Sequence, residues 1–170
     1  MHNKLISIVI PAFNESENIP KITAAIENLF EQLPYRYEII MVADGCTDST
    51  MEKIQELITS NKHLFYIEFS RNFGHQNALK AGLDHSNGDC VISLDCDMQH
   101  PPEIIPEMLA KWEEGYEVVY TIRKEDKKLP LTKRFTSKLF YNTINRLSDV
   151  EIESGSADFR LLDRKVVRVM

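Results

Sequence analysis

The sequence predicts an α/β fold in which helices cover both faces of a mainly parallel sheet. Apolar runs of strand length alternate along the chain with segments whose apolar residues recur at three- and four-residue spacing. This regular alternation is typical of βαβ units joined by right-handed crossovers. Because such crossovers place helices on both sides of a sheet, we expect the strands to be buried on both faces.

Five strands and five helices make up the prediction. The strands cover residues 5–10, 37–42, 64–69, 90–94 and 118–122. The helices each carry one apolar face, and they cover residues 19–33, 51–58, 78–83, 104–112 and 135–147. Pro11 is predicted to end the first strand, and Asn87 with Gly88 to turn the chain into the fourth.

The composition is that of one globular domain. A chain of 170 residues with 43% hydrophobic and 27% charged residues can bury one substantial core. The formal net charge of −6 argues against nucleic acid as a partner, because domains that bind it are usually basic. Three cysteines without a CxxC pair indicate reduced thiols rather than a zinc site. No secretory signal or membrane span is recognisable, so we expect this fragment to be soluble.

Polar residues collect where the predicted strands end. Acids, amides, arginines and one serine follow the five strands in turn: Asn14, Glu15, Asp44, Ser70, Arg71, Asn72, Asp95, Asp97, Gln99 and Arg123. In parallel sheets, ligands bind outside the carboxyl ends of the strands. We therefore expect one edge of the sheet to carry a functional site.

The sharpest pattern at this edge is Asp95-Cys96-Asp97, directly after an apolar run. Two carboxylates this close repel each other unless a cation lies between them, and their hard oxygens suit Mg²⁺ or Mn²⁺. A helix-capping or turn pair is the alternative, since Asp is common before a helix. The position at a strand end, followed by residues 98–102, favours the metal site.

Three other segments carry candidate binding residues. Residues 11–15 leave backbone N–H groups available to a ligand and place Phe13 for stacking, although they could also be a strand end and helix entry. Asp44 could accept the ring N–H of uracil or guanine, whereas Asp48 is better suited to the start of the next helix. Arg123 could neutralise a phosphate, or it could be an ordinary surface arginine.

Asp158 lies in a segment interpreted as a loop of small residues, residues 154–162. A carboxylate there could serve as a general base that activates an acceptor. An Asx-type turn or an ion pair with Arg160 or Arg164 explains it equally well. Chemistry alone leaves this choice open.

Five ordered motifs together resemble the family 2 glycosyltransferases of GT-A fold, a Rossmann-like mainly parallel sheet. The motifs are IVIPAFNE, EIIMVADGCTDST, FSRNFGHQNALKAGL, ISLDCDMQHPPE and SADFRLLDR. The match is strongest to the branch that transfers a sugar to polyprenyl phosphate. It runs from Leu5 to the end of the chain and implies a single GT-A domain over residues 1–170. We expect the membrane-associated elements usual in that branch to follow in a longer protein.

The resemblance implies a role for each candidate residue. The base and ribose would be held by Pro11, Phe13, Glu15, Val42 and Asp44. Asp95 and Asp97 would bracket Mg²⁺ or Mn²⁺, with Asp97 as direct ligand and catalytic residue. Gln99 would lie beside the diphosphate, Arg123 would contact donor or acceptor phosphates, and Asp158 would position or activate the acceptor. Ala43 and Cys96 depart from the usual aspartate and small residue of the family.

The implied reaction is inverting transfer from a nucleoside-diphosphate sugar, with UDP favoured by family frequency, to polyprenyl phosphate. The implied setting is the cytoplasmic face of the inner membrane, with the membrane surface as a partner; the oligomeric state stays open. One alternative acceptor is a saccharide hydroxyl in cell-envelope polysaccharide synthesis. A non-catalytic nucleotide-binding domain is another alternative, whereas a Rossmann dehydrogenase is disfavoured because no GxGxxG follows the first strand.

Overall fold

The computed structural model describes residues 4–122 and 156–170, with backbone alone at Ile122 and residues 156–158. The described elements are β1 (Leu5–Ala12), α1 (Ile19–Phe30), β2 (Arg36–Ala43), α2 (Thr50–Ile58), β3 (Leu64–Glu68), α3 (His75–His85), β4 (Cys90–Ser93), a 3-10 helix (Pro102–Ile104), α4 (Ile105–Glu113), β5 (Val118–Ile122), β6 (Ser156–Asp163) and α5 (Arg164–Val167). Their order confirms the predicted alternation of strands and helices through β5.

The strands form one six-stranded sheet in the order β3-β2-β1-β4-β6-β5. β1 pairs in parallel with β2 and β4, and β2 pairs in parallel with β3. β6 pairs antiparallel to β4, from Cys90 opposite Asp163 to Ser93 opposite Arg160. The sheet is therefore mainly parallel, as predicted.

The interpretation of residues 154–162 as a loop was wrong, because most of that segment is strand β6. The small residues at its start hide the strand pattern from the sequence. The later residues of the segment favour the strand, since Phe159 and Leu161 are fully buried. Asp158 consequently lies on a strand.

β1 continues past Pro11 to Ala12, although the sequence predicted that Pro11 would end it. Alternate residues of a strand bond to opposite neighbours, and Val9 faces β4, where its carbonyl accepts the Leu94 N–H at 3.0 Å. Pro11 faces the same side, but β4 has already ended at Ser93. Its missing N–H therefore removes no bond from the ladder, which is why a proline is tolerated in this central strand.

Helices cover both faces of the sheet. On one face, α3 and α5 pack on a cluster of Val9, Ile40, Val42, Ala78, Leu79, Leu83, Val91, Leu162 and Val167. α3 lies so close to β1 that a Cβ on Gly82 would stand 2.2 Å from Val9 Cγ1. The alternate strand residues Ile8, Ile10, Ile39, Met41 and Ile92 are fully buried, so the opposite face is also covered. With both faces covered, a ligand can reach the sheet at the ends of its strands.

A buried carboxylate ties the amino ends of the strands to the turn before β4. Glu38 Oε1 accepts the Ser7 hydroxyl at 2.6 Å and the Asn87 N–H at 2.7 Å. Ser7 Oγ in turn accepts the Gly88 N–H at 2.7 Å. Three segments distant in sequence thus share one largely buried hydrogen-bond network.

We expect Glu38→Ala to lower the free energy of unfolding by about 2 kcal/mol, because two buried donors lose their acceptor. Urea denaturation followed by circular dichroism measures the change. Glu56→Ala is the control, since Glu56 is exposed and pairs with Lys53 on its own helix. Equal stability of the two variants would contradict a structural role for Glu38.

The chain divides into two compact units, Met1–Val119 with Asp158–Met170, and Tyr120–Ala157. The first unit contains every feature of the site below. The second lies almost entirely outside the described residues, as does the helix predicted for residues 135–147, so the single-domain interpretation stays a prediction. Within the described ranges the longest helix has 12 residues, and none there has the length and apolarity needed to cross a bilayer.

Candidate functional site

A cavity of about 300 Å³ opens at the carboxyl ends of β1, β2 and β4. It is lined by the predicted residues Pro11, Phe13, Glu15, Asp44, Asp95 and Asp97, and also by Ala12, Asn72, His75, Ala78 and Cys96. β1 and β4 are neighbours in the sheet although β2 and β3 lie between them in sequence. The cavity therefore occupies the point where strand order reverses, the usual binding crevice of such sheets.

Asp95 and Asp97 both face this cavity from the turn that follows β4. The turn is tight: Met98 has a φ of +60°, and the Gln99 N–H donates to Asp97 Oδ1 at 3.0 Å. The side chain of Asp95 is 29% exposed, while Asp97 is an exposed residue. Asp97 is thus more open to a ligand than Asp95.

Two histidines that sequence reasoning missed flank Asp95. His75 Nε2 lies 3.8 Å from Asp95 Oδ1, and His100 Nδ1 lies 3.7 Å from Asp95 Oδ2. His75 is the first residue of α3, and His100 is buried against the ring of Phe159. Both belong to the quoted motifs, but nothing in their spacing along the chain indicated that they meet at one carboxylate.

The thiol of Cys96 is buried among the carboxylates of the cavity. Burial, reinforced by the nearby carboxylates of Glu15, Asp97 and Asp95, raises the pKa of Cys96 to about 12. Without a bound cation the thiol is therefore protonated at neutral pH. Its small side chain is buried between the two aspartates.

The loop after β1 is held in place by the loop after β2. The Glu15 N–H donates to Thr50 Oγ1 at 2.8 Å, and Asn14, with a φ of +57°, accepts the Thr47 N–H at 2.8 Å. Glu15 also accepts the Asn18 side-chain amide at 2.6 Å. These contacts fix the backbone on which the half-exposed ring of Phe13 stands beside the cavity.

Asp48 organises the start of α2 rather than the cavity. Its carboxylate accepts the Thr50 N–H at 3.0 Å and the Ser16 N–H at 3.3 Å. Desolvation by itself would raise the pKa of Asp48, but the hydrogen bonds from Thr50 and Ser16 outweigh it and lower that pKa. The carboxylate thus stays ionised where it joins the two loops.

Asp44 lines the cavity but is only 3% exposed. Its Oδ1 accepts the Phe73 N–H at 2.7 Å, and its Oδ2 accepts the Gly74 N–H at 2.9 Å. Both oxygens are therefore engaged by the segment that leads into α3.

Two predicted site residues, Val42 and Gln99, are not among the described residues that line the cavity. Val42 is fully buried in the cluster beneath α3, and Gln99 contributes its backbone to the turn after β4. Arg123 lies outside the described residues, as does the side chain of Asp158. The roles assigned to these four residues stay predictions.

The donor set at Asp95 and Asp97 fits Mg²⁺ or Mn²⁺. Both side chains offer hard carboxylate oxygens to one cavity. In the part of the chain that the structure describes, no group of three or more His, Cys, Asp or Glu side chains is arranged to hold a metal ion. A site of this kind suits cations that take one or two carboxylates and complete their shell with phosphate oxygens and water.

The family model for glycosyl transferase family 2 matches residues 7–170. The chain belongs to glycosyl transferase family 2. It is 41% identical over 165 residues to an uncharacterised glycosyltransferase, sll0501, of Synechocystis sp. (strain ATCC 27184 / PCC 6803 / Kazusa), covering 97% of this chain and 52% of that protein. It is 41% identical over 162 residues to the bactoprenol glucosyl transferase of Shigella phage SfV, covering 95% and 53%. This family 2 chain thus spans about half the length of these curated relatives.

Solved structures place the family 2 chain in the GT-A fold. The mannosyltransferase PcManGT from Pyrobaculum calidifontis, in complex with GDP-Man and Mn²⁺, superposes with a TM-score of 0.65 at 19% identity, covering 99% of this chain and 47% of that one. A glucosyl-3-phosphoglycerate synthase from Mycobacterium tuberculosis, with Mn²⁺, UDP and glucosyl-3-phosphoglycerate, gives 0.66 at 22% identity, covering 95% and 57%. At such identities the likeness shows the fold alone, and it confirms the predicted fold class.

Proposed function

We propose that this chain is the donor-binding and catalytic part of an inverting glycosyltransferase that moves a sugar from a nucleoside-diphosphate sugar to polyprenyl phosphate. One observation carries the proposal: Asp95 and Asp97 share a single cavity at the sheet's switch point with the loop after β1. Relatives named bactoprenol glucosyl transferase, 41% identical over 95% of this chain, support the lipid-phosphate acceptor.

The donor site divides between two parts of the cavity. Pro11, Phe13 and Glu15, on the braced loop after β1, would hold the base and ribose. Asp97 would bind the cation directly and Asp95 would lie beside it. When bound, Mg²⁺ or Mn²⁺ supplies positive charge that stabilises the departing diphosphate.

The proposed chemistry is a direct displacement at the anomeric carbon. A phosphate oxygen of the acceptor forms the new bond as the bond to the donor's diphosphate breaks, so the sugar's configuration inverts and no covalent enzyme intermediate forms. Because the acceptor phosphate is already anionic, Asp158 would orient it rather than remove a proton. Arg123 and Gln99 would contact phosphates.

A hydrolase with two catalytic carboxylates is a poorer explanation of Asp95 and Asp97. Glycosidases place such groups on opposite sides of a sugar ring, separated by roughly 5 Å or more. Asp95 and Asp97 lie on one tight turn, where they face the same cavity. They are better arranged to share a cation than to flank a glycosidic bond.

The proposal assigns the reaction to the cytoplasmic face of the inner membrane, where a water-soluble donor meets a lipid acceptor. Transfer assays would use UDP-glucose, UDP-N-acetylglucosamine and GDP-mannose as radiolabelled donors, with polyprenyl phosphate in detergent micelles as acceptor. Label in the lipid fraction is the expected result. Label in a soluble oligosaccharide added as a second acceptor would instead favour the saccharide-hydroxyl alternative.

Titration calorimetry of the chain with UDP and with GDP, each in Mn²⁺ and in EDTA, tests the donor site. We expect one nucleotide, UDP, to bind in the micromolar range in Mn²⁺ and to bind at least about tenfold more weakly in EDTA, because a cation held by Asp95 and Asp97 would supply positive charge to the diphosphate. Circular dichroism provides the control that the chain is folded. A folded chain that binds neither nucleotide would overturn the proposal.

A further inference from the structure

The Asp95 carboxylate lies between two imidazole rings that reach it from separate parts of the chain. His75, the first residue of α3, approaches one oxygen, with its Nε2 3.8 Å from Asp95 Oδ1. His100, shortly before the 3-10 helix, approaches the other, with its Nδ1 3.7 Å from Asp95 Oδ2. Both distances are longer than a hydrogen bond, but they are short enough for electrostatic attraction between an imidazole N–H and a carboxylate. Each ring can thus restrain one oxygen of the same carboxylate.

The two rings differ in how much water surrounds them. The side chain of His75 is 40% exposed, whereas that of His100 is 6% exposed. Water weakens the attraction between an N–H group and a carboxylate, and the exclusion of water strengthens it. We therefore expect His100 to restrain Asp95 more strongly than His75 does.

The ring and the backbone of His100 are both held in place. The ring packs on that of Phe159, with 5.6 Å between the two centroids, and Phe159 is fully buried in β6. Pro101 follows His100, and a residue that precedes proline is restricted to extended backbone. Pro102 is in turn buried at the start of the 3-10 helix. A ring that is fixed in this way can hold a neighbouring carboxylate in one orientation.

The two aspartates of the cavity are oriented by different means. Asp97 Oδ1 accepts the Gln99 N–H at 3.0 Å, so Asp97 is oriented by its own turn. Asp95 instead has the two imidazole rings beside its oxygens. Asp95 lines the cavity, whereas His100 is not among the described residues that do. His100 can therefore affect a bound ligand through Asp95 rather than by touching that ligand.

We propose that His100 is a positioning residue whose buried ring keeps the Asp95 carboxylate turned toward the donor cavity, where the cation would bind. The partners of a metal-binding carboxylate orient it, and losing such a partner costs about 10- to 100-fold in metal affinity. The inference rests on the proposed function for the presence of the cation. The contact between His100 and Asp95 is independent of it and can be tested by itself.

The first test compares His100→Asn with His100→Leu. Asparagine places an amide nitrogen near the position of Nδ1 but leaves part of the ring's volume empty, whereas leucine fills a similar volume and has no donor. In the presence of UDP, we expect His100→Leu to weaken Mn²⁺ binding by about tenfold or more and His100→Asn to weaken it less. Stability should follow the opposite order, because asparagine leaves a cavity beside Phe159. Electron paramagnetic resonance of Mn²⁺ and urea denaturation measure the two quantities.

The opposite orders separate positioning from packing. If His100→Leu binds Mn²⁺ at least as well as His100→Asn does, His100 acts through packing alone and the inference is overturned. His85→Leu is the control, since His85 is an exposed histidine on α3 outside the cavity lining, and it should keep the wild-type affinity. His75→Leu should lose less affinity than His100→Leu, because its ring is the more exposed of the two. A larger loss in His75→Leu would contradict the assignment of this role to His100.

Nuclear magnetic resonance of the imidazole nitrogens tests the contact in the metal-free chain. The ring nitrogens of His100 should shift in Asp95→Asn, because a neutral amide replaces the neighbouring carboxylate. Those of His63 and His85, which lie beside the Tyr37 and Ala81 carbonyls, should keep their wild-type resonances. Unchanged His100 resonances would overturn the inference. If the wild type binds no Mn²⁺ with either nucleotide, the proposed function fails, while this measurement still determines whether His100 acts on Asp95.

Discussion

Asp97→Ala is expected to weaken Mn²⁺-dependent nucleotide binding by about 100-fold or more. The variant removes the more exposed of the two carboxylates that face the cavity, and with it the proposed direct ligand of the cation. Losing even an outer contact of a metal site commonly costs 10- to 100-fold in affinity, so losing a direct ligand should cost at least as much. Calorimetry in Mn²⁺ and electron paramagnetic resonance of bound Mn²⁺ measure the two losses separately.

The matched control for Asp97→Ala is Asp84→Ala. Asp84 is an exposed carboxylate on α3 that pairs with Lys80 and is not part of the cavity lining. The Asp84→Ala variant also removes one negative charge from the protein, but it leaves the cavity unchanged. We therefore expect it to bind nucleotide as the wild type does. Wild-type binding by Asp97→Ala in Mn²⁺ would show that the cation, if one binds, is held elsewhere.

Gly45→Ala is expected to lower the free energy of unfolding by about 3 kcal/mol and to weaken nucleotide binding in the folded protein. A Cβ there would overlap backbone atoms of Arg71 and Asn72, which cannot rotate away as a flexible side chain would. Overpacking of this kind costs about 1–3 kcal/mol, and a left-handed φ adds about 1 kcal/mol for alanine. Urea unfolding and calorimetry with UDP in Mn²⁺ measure the two effects.

Gly115→Ala separates the two causes. Gly115 has a φ of +104°, but a Cβ there would meet no atom within 4 Å. It should therefore show only the backbone cost, about 1 kcal/mol, and leave nucleotide affinity unchanged. If Gly45→Ala is no more destabilising than Gly115→Ala, the close approach of Arg71 and Asn72 to Gly45 is not a constraint in solution.

The strands and helices that could be predicted were those with a strong local pattern. β2 contains the apolar run 39–43 and β4 the apolar run 90–92, and α1 repeats isoleucine at Ile19, Ile22 and Ile26 on its buried face. β6 escaped because its first residues are small and polar, while its partner β4 lies more than sixty residues earlier in the chain. The predicted end of β1 at Pro11 was wrong because β1 can accommodate a proline there only where β4 has already ended. The end of β4 cannot be read from the sequence around Pro11.

The sequence by itself determined the family and the aspartate pair of the candidate site. Asp95 and Asp97 are two residues apart, so their proximity follows from the chain, and the run before them indicates a strand end. Only the tertiary structure showed that Asp44 binds the Phe73 and Gly74 N–H groups, or that His75 and His100 approach Asp95 from two sides. The reason is physical: contacts between distant segments depend on strand order and loop paths, which follow from packing of the whole sheet rather than from any single motif.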